Sequence, residues 1–220
     1  MKKLYMVSLG PGDFELVSLK ALRVLKQSDA ICVPTKSKGS FEKSISYKIV
    51  KKLMNEFGFN KEIIPLYAPM QFKKEDWQSQ VDAILEAFTC RDKVSFVTLG
   101  DSAIYSSVYY LLDLIKEQNA DVYENAEVIA GITSFSQASA VIKKPLCVGD
   151  SALEIVPLLG KDVPKTKIYM RPKIGMDTAV IKEQGSLYTF ENLNFKDENI
   201  VKGKKSRVEK YMTLFIDFFR

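Results

Sequence analysis

Three segments of this 220-residue chain share one design, a hydrophobic run that stops at glycine and passes at once into a helical pattern. They are Val7-Ser8-Leu9-Gly10-Pro11-Gly12-Asp13, Val97-Thr98-Leu99-Gly100-Asp101-Ser102 and Val128-Ile129-Ala130-Gly131-Ile132-Thr133-Ser134. At the carboxyl ends of strands in an open α/β sheet, glycine lets a ligand approach the backbone and helix-start N–H groups meet its anionic parts. The three turns are therefore candidate walls of one binding site, although each alone also fits an ordinary tight turn. Nucleotide-binding patterns are absent. No GxxxxGK[ST] occurs, which argues against a Walker-type phosphate cradle. A GxGxxG loop would need glycine at Ser8, and Pro11 removes one of its donors. What remains is a ligand with few phosphates or none.

The chain contains no histidine. That excludes Ser-His-Asp and Cys-His nucleophile pairs, imidazole general bases and histidine-ligated zinc. Cys32, Cys90 and Cys147 are too widely spaced for a CxxC pair or a metal-ligand set, and they read as small buried hydrophobes in a reducing compartment. The apolar run Leu4 to Leu9 is too short for a signal-peptide core, and no stretch nears the roughly 18 apolar residues of a membrane span. The expectation is a cytoplasmic protein without a metal site or a membrane partner. Net charge is +5 with no basic tail. Lysines do concentrate locally, at Lys36, Lys38, Lys43, Lys48, Lys51 and Lys52 and again at Lys161, Lys165, Lys167, Arg171 and Lys173. They are either solvated faces or a surface for an anionic partner, carboxylate-rich or nucleic acid.

The elements that must position the turns alternate from the start. Leu4 to Leu9 reads as a buried strand, the stretch after Asp13 as a helix with Leu16, Leu19, Leu22 and Leu25 at intervals of three, and Ala30 to Val33 as a second strand. A helix near 42–57, a strand at Ile63-Ile64, a helix near 75–89 and a strand at Val94 to Leu99 follow. The next helix carries Tyr105, Val108, Tyr109, Leu112 and Ile115 on an apolar side. This alternation predicts an α/β fold with a mainly parallel sheet. The polar connection near 116–121 suggests two α/β domains, 1–118 and 119–220. In the second, Glu127 to Ala130, Leu153 to Leu158, Lys167 to Met170 and Leu187 to Phe190 read as strands. A helix is expected through about Ile142 and a short one over Gly175 to Gln184. Tyr211 to Phe219 suits a closing strand that runs antiparallel.

Leu9-Gly10-Pro11-Gly12-Asp13, followed by Ser18-Leu19-Lys20-Ala21 and Ser28-Asp29-Ala30, resembles the N-terminal signature of the tetrapyrrole (corrin/porphyrin) methylases, class III methyltransferases that use S-adenosylmethionine. Leu99-Gly100-Asp101 and Gly131-Ile132-Thr133-Ser134 are similar to that family's next two motifs, in the same order. Cys32-Val33-Pro34, Tyr105-Ser106-Ser107 and Gly131 to Ser136 most resemble the subgroup that methylates carbon 20 of precorrin-2 or cobalt-factor II in cobalamin synthesis. The likeness weakens after Met170. Ser8 stands where the pattern has glycine, and Ser102 and Ala130 where it has proline.

The resemblance implies two α/β domains of the class III type with the active site in the cleft between them, usually in a homodimer. S-adenosylmethionine would be held by Pro11, by Leu99, Gly100, Asp101, Ile104, Tyr105 and Ser106, by Thr133 and Ser134, and by Met170. Gly10, Gly12, Lys36, Lys38 and Arg171 would face the tetrapyrrole, whose acetate and propionate arms suit a basic surface. The nucleophile is an electron-rich carbon of the substrate, so the protein has to align two reactants, exclude water and move one proton. Asp101, Tyr105, Asp13 and Glu191 are the candidate proton handlers, and none is singled out. Two other readings stay open, a class III methyltransferase acting on RNA or protein and a non-catalytic ligand-binding relative.

Overall fold

The computed structural model describes residues 2–37, 40–41, 44–69, 73–155, 165–170, 172–192 and 195–219. Its contacts divide the chain into two compact units, Met1–Leu153 and Glu154–Arg220. The first holds a parallel five-stranded sheet of β1 (Lys3–Ser8), β2 (Ala30–Thr35), β3 (Glu62–Tyr67), β4 (Lys93–Thr98) and β5 (Glu127–Ile129), in the order β3-β2-β4-β1-β5. The expected boundary at 118/119 therefore moves. β5 hydrogen-bonds to β1, which ties the segment beyond 119 into the first sheet.

Alternation along β1 explains the two layers. Leu4 and Met6 join Val94 and Phe96 beneath α3 (Lys74–Ala87), α4 (Val108–Gln118) and α5 (Ala120–Glu124). Tyr5 and Val7 join Ile31, Val33 and Val97 beneath α1 (Leu19–Gln27) and α2 (Ile45–Glu56). Leu4, Met6 and Phe96 have essentially no exposed surface, and truncating any of them to alanine costs about 2–5 kcal/mol. The two prolines in strands fall where a missing N–H is tolerated. Pro65 is on edge strand β3, and Pro34 lies past the stretch of β2 that pairs with β4.

Local chemistry sets the helix starts. Asp13 caps only a single 3-10 turn, Phe14–Leu16, and α1 begins later because Ser18 Oγ accepts the Ala21 N–H at 3.1 Å. The face that α1 buries is accordingly Ala21, Val24 and Leu25, while Leu19 of the expected leucine stripe is exposed. Ser28 ends α1 and shares a buried 2.6 Å hydrogen bond with Ser95 of β4, and Asp29 accepts the N–H groups of Asp92 and Lys93. The Ser28-Asp29-Ala30 motif is thus a clasp that sets β2 against β4.

The second unit is an antiparallel sheet of β6 (Lys167–Tyr169), β7 (Ser186–Glu191), β8 (Asn199–Lys202) and β9 (Thr213–Phe218), in the order β6-β9-β7-β8. Ile181, Leu187, Val208 and Phe215 form its small core. The antiparallel closing strand is as expected. The expected helix over Gly175–Gln184 is one 3-10 turn, Thr178–Val180, because Asp177 caps a single turn and Lys204 Nζ takes the carbonyls of Thr178 and Ile181. Of the expected strand at Leu153–Leu158, residues 153–155 are not extended in a sheet and 156–158 lie outside the described residues. Only glycine fits at 185, where a Cβ would stand 1.8 Å from the Phe218 carbonyl oxygen.

Candidate functional site

β4, β1 and β5 are neighbours, so the three glycine turns emerge side by side at one edge of the sheet. The connections leaving β1 and β4 go to opposite faces, to α1 on one and α4 on the other, which makes the gap between these two strand ends a topological switch point. Direct bonds stitch the turns together. Gly10 N–H donates to the Gly100 carbonyl at 3.1 Å and Gly100 N–H to the Gly10 carbonyl at 2.7 Å. Both glycines have positive φ, +73° and +79°, which residues with a Cβ rarely adopt. Asp101 Oδ1 accepts the N–H of Gly131 and that of Ala103, each at 3.3 Å. Ser8 Oγ accepts the buried Ser102 N–H at 2.9 Å.

The rim of this edge is open. Leu99 is 41% and Tyr105 69% exposed, and Ile132 is exposed as well. At Gly100 nothing lies within 4 Å of the place a Cβ would take. Tyr105 has φ +49°, a left-handed conformation that costs a bulky side chain about 1–2 kcal/mol and is characteristic of functional positions. Ile104 N–H closes the turn onto the Asp101 carbonyl, and Ser106 Oγ lies 3.3 Å from Thr98 Oγ1 while accepting the Val108 N–H. Thr133 caps α6 (Ser134–Ile142) through the Ser136 N–H, leaving Ser134 exposed at the helix start. Pro11 is half-buried, Gly12 and Asp13 are exposed, and Lys36 is exposed just past the end of β2.

Asp13 Oδ1 is occupied by the Glu15 N–H, so its side chain serves the turn. Met170 is 71% exposed just after β6, and Glu191 ends β7 at only 2% exposure. Both belong to the second unit. Lys38 and Arg171 lie outside the described residues. Glu191 is held below its ordinary value by Asn199, whose side chain donates at 2.8 Å, and then by Lys205 at 3.2 Å, against the opposing effect of burial. A carboxylate so stabilised is a poor proton acceptor, and its role is to lock β7 to β8. Because its folded pKa is lowered, Glu191 stabilises the protein above its unfolded value of about 4.3, and this contribution is lost as pH falls through the lower folded value. Glu191→Gln is expected to cost about 1–2 kcal/mol at neutral pH, discounted for the part-exposed Lys205, with the deficit shrinking in acid when melting is followed against pH.

Tyr109, placed by the sequence on the apolar side of its helix, is half-exposed, and its hydroxyl is pushed above its ordinary value by burial and then by the Asp101 carboxylate. Its place on α4 disguised it as a packing residue. Of the cysteines only Cys32 is buried, its thiol pushed up to about 12 chiefly by burial, whereas Cys90 and Cys147 are exposed. Among the described residues no group of three His, Cys, Asp or Glu could hold a metal, and no helix is long and apolar enough to cross a membrane.

Residues 3–188 match the family model of the tetrapyrrole (corrin/porphyrin) methylases. A protein of Methanocaldococcus jannaschii named "Probable cobalt-precorrin-2 C(20)-methyltransferase" is 33% identical, over 94% of this chain and 90% of the relative. The cobalt-precorrin-2 C(20)-methyltransferase of Salmonella typhimurium is 29% identical, over 70% of this chain and 62% of its own length. Among solved structures, uroporphyrin-III C-methyltransferase of Thermus thermophilus, complexed with S-adenosylhomocysteine, superposes with a TM-score of 0.51 at 17% identity, covering 97% of this chain and 96% of that one. A cobalamin synthesis related protein of Corynebacterium diphtheriae gives 0.56 at 16% identity, covering 98% of each. At these identities the two structures bear on the fold alone.

Proposed function

Because this chain belongs to the tetrapyrrole (corrin/porphyrin) methylases, we propose that it transfers the methyl group of S-adenosylmethionine to carbon 20 of precorrin-2 or of its cobalt form. The observation that carries the reading is the union of three glycine turns on adjacent strands, in a chain 33% identical over 94% of its length to a relative named for that reaction.

The residues present suit the cofactor. Leu99 and Ile132 offer exposed apolar surface, and the open backbone at Gly100 permits close approach. Ile104, Ser106, Thr133 and Ser134 complete this wall with Pro11. When bound, S-adenosylmethionine supplies an electrophilic methyl group on sulfur. The chain has to hold the reacting carbon in line with it, exclude water and relieve that carbon of its proton. Asp101 spends one carboxylate oxygen on pinning the turns. Tyr105, exposed and held in a strained conformation, is the group best placed to meet the substrate. No histidine is needed. Calorimetry with S-adenosylhomocysteine is expected to show saturable binding to the native chain, and none would contradict the reading.

The substrate's carboxylates would be received by Lys36, Lys38 and Arg171, with Gly10 and Gly12 offering backbone. Lys36→Glu is expected to raise KM for the tetrapyrrole by about tenfold while leaving KM for S-adenosylmethionine in place, since a rim charge steers the anionic reactant. An unchanged tetrapyrrole KM would remove Lys36 from the substrate surface. The reading includes a cytoplasmic homodimer acting without a nucleic-acid or membrane partner.

A further inference from the structure

We propose that Ser8 and Ser102 form a coupled pair of positioning residues that sets the affinity of this edge for the adenosyl cofactor, an inference that rests on the cofactor reading above. Ser8 is the last residue of β1 and has no exposed surface. Its neighbours in register, Leu4 and Met6, point toward α4, and Ser8 continues that side. There its hydroxyl oxygen accepts the N–H of Ser102, itself 2% exposed. The bond links two of the three turns at a depth where water cannot replace a lost partner. Ser8 also touches the third turn, since a Cβ added at Gly131 would stand 2.6 Å from the Ser8 Cβ and 2.8 Å from the Gly100 carbonyl oxygen. One small side chain therefore governs the spacing of all three turns.

The chemistry of the pair makes each residue conditional on the other. A backbone N–H buried at 102 requires an acceptor, and the Ser8 hydroxyl supplies it. Proline at 102 would need no acceptor, but its ring would occupy the place of the amide hydrogen and collide with the hydroxyl oxygen at 2.9 Å. Glycine at 8 would remove that obstacle and also the acceptor. Two combinations are self-consistent, serine at both positions, or glycine at 8 together with proline at 102. The mixed combinations leave either an orphaned donor or a clash. Neither serine is required to touch the substrate.

The test is S-adenosylhomocysteine binding by calorimetry, with KM for S-adenosylmethionine and kcat, for the native chain, Ser8→Gly, Ser102→Pro and the double variant that carries both. Each single change is expected to weaken cofactor binding about tenfold, seen in KM more than in kcat, while the double variant recovers to within about threefold of native. Such recovery is not expected of two independent structural losses, which add. The double variant also keeps the test open if a single variant does not fold, because it needs no hydrogen bond and is expected to fold and bind. Native-like binding by both single variants, or a double variant as weak as the product of the singles, overturns the pair while leaving the cofactor site standing. A native chain that binds no S-adenosylhomocysteine overturns the cofactor reading itself, and the pair with it.

Discussion

Gly131→Ala is expected to lower kcat/KM for S-adenosylmethionine about a hundredfold, because a displacement of roughly 1 Å at a positioning element costs that much. The displacement is forced. The new Cβ would stand 2.6 Å from the Ser8 Cβ and 2.8 Å from the Gly100 carbonyl oxygen, whereas carbon atoms at rest are about 3.5–4.0 Å apart. Both obstacles are held in place, one on β1 and the other by its bond to the Gly10 N–H. The third turn has to move instead, taking Thr133 and Ser134 with it. Overpacking of this kind costs about 1–3 kcal/mol, so the variant should remain folded while losing the cofactor. A melting curve and a calorimetric titration with S-adenosylhomocysteine separate the two effects. Adding Ser8→Gly relieves one of the two overlaps but strips the buried Ser102 N–H of its acceptor, so no net recovery is expected. Native affinity in Gly131→Ala would show that the turns can part without consequence.

Asp101→Ala should be comparably damaging, and its comparison with Asp101→Asn decides what the carboxylate does. Asp101 Oδ1 accepts two backbone N–H groups, one within its own turn and one from Gly131. Alanine removes both acceptors; the exposed Ala103 N–H turns to water, whereas the half-buried Gly131 N–H loses its partner and the join between the second and third turns is lost. At about 1–3 kcal/mol for that one donor, the expected fall in kcat/KM for S-adenosylmethionine is up to about a hundredfold. Asparagine keeps an acceptor oxygen but gives up the charge, so its expected fall is only about tenfold. A proton-accepting role would make the two substitutions equally harmful to kcat. Equal losses confined to kcat would transfer Asp101 from the pins of the turn to the reacting groups.

The turns were legible in the sequence because glycine at a strand end is a local signal, and so was the alternation that builds the parallel sheet. Their convergence was not, since nothing in Val7–Asp13, Val97–Ser102 or Val128–Ser134 states that β4, β1 and β5 lie side by side. Ser8 and Ser102 were visible separately, as departures from a family pattern. The hydrogen bond that joins them spans 94 positions, beyond any periodicity. Glu191 reads in the sequence as a candidate proton handler because its partners, Asn199 on β8 and Lys205 just beyond that strand, follow no pattern that announces them. β8 offers only Ile200 and Val201 as apolar residues, which is too short a run to declare a strand. The boundary placed in the polar stretch near 116–121 failed for a related reason. That stretch joins α4 to α5, where Asn119 caps the new helix, and the chain then returns to the first sheet as β5.

The most direct measurement of the central claim is mass analysis of precorrin-2 and of its cobalt form after incubation with the purified chain and S-adenosylmethionine. The expected result is the gain of one methyl group, placed at carbon 20, on at least one of the two and its loss in Gly131→Ala. No methyl gain on either tetrapyrrole, by a native chain that is folded and binds S-adenosylhomocysteine, would contradict it.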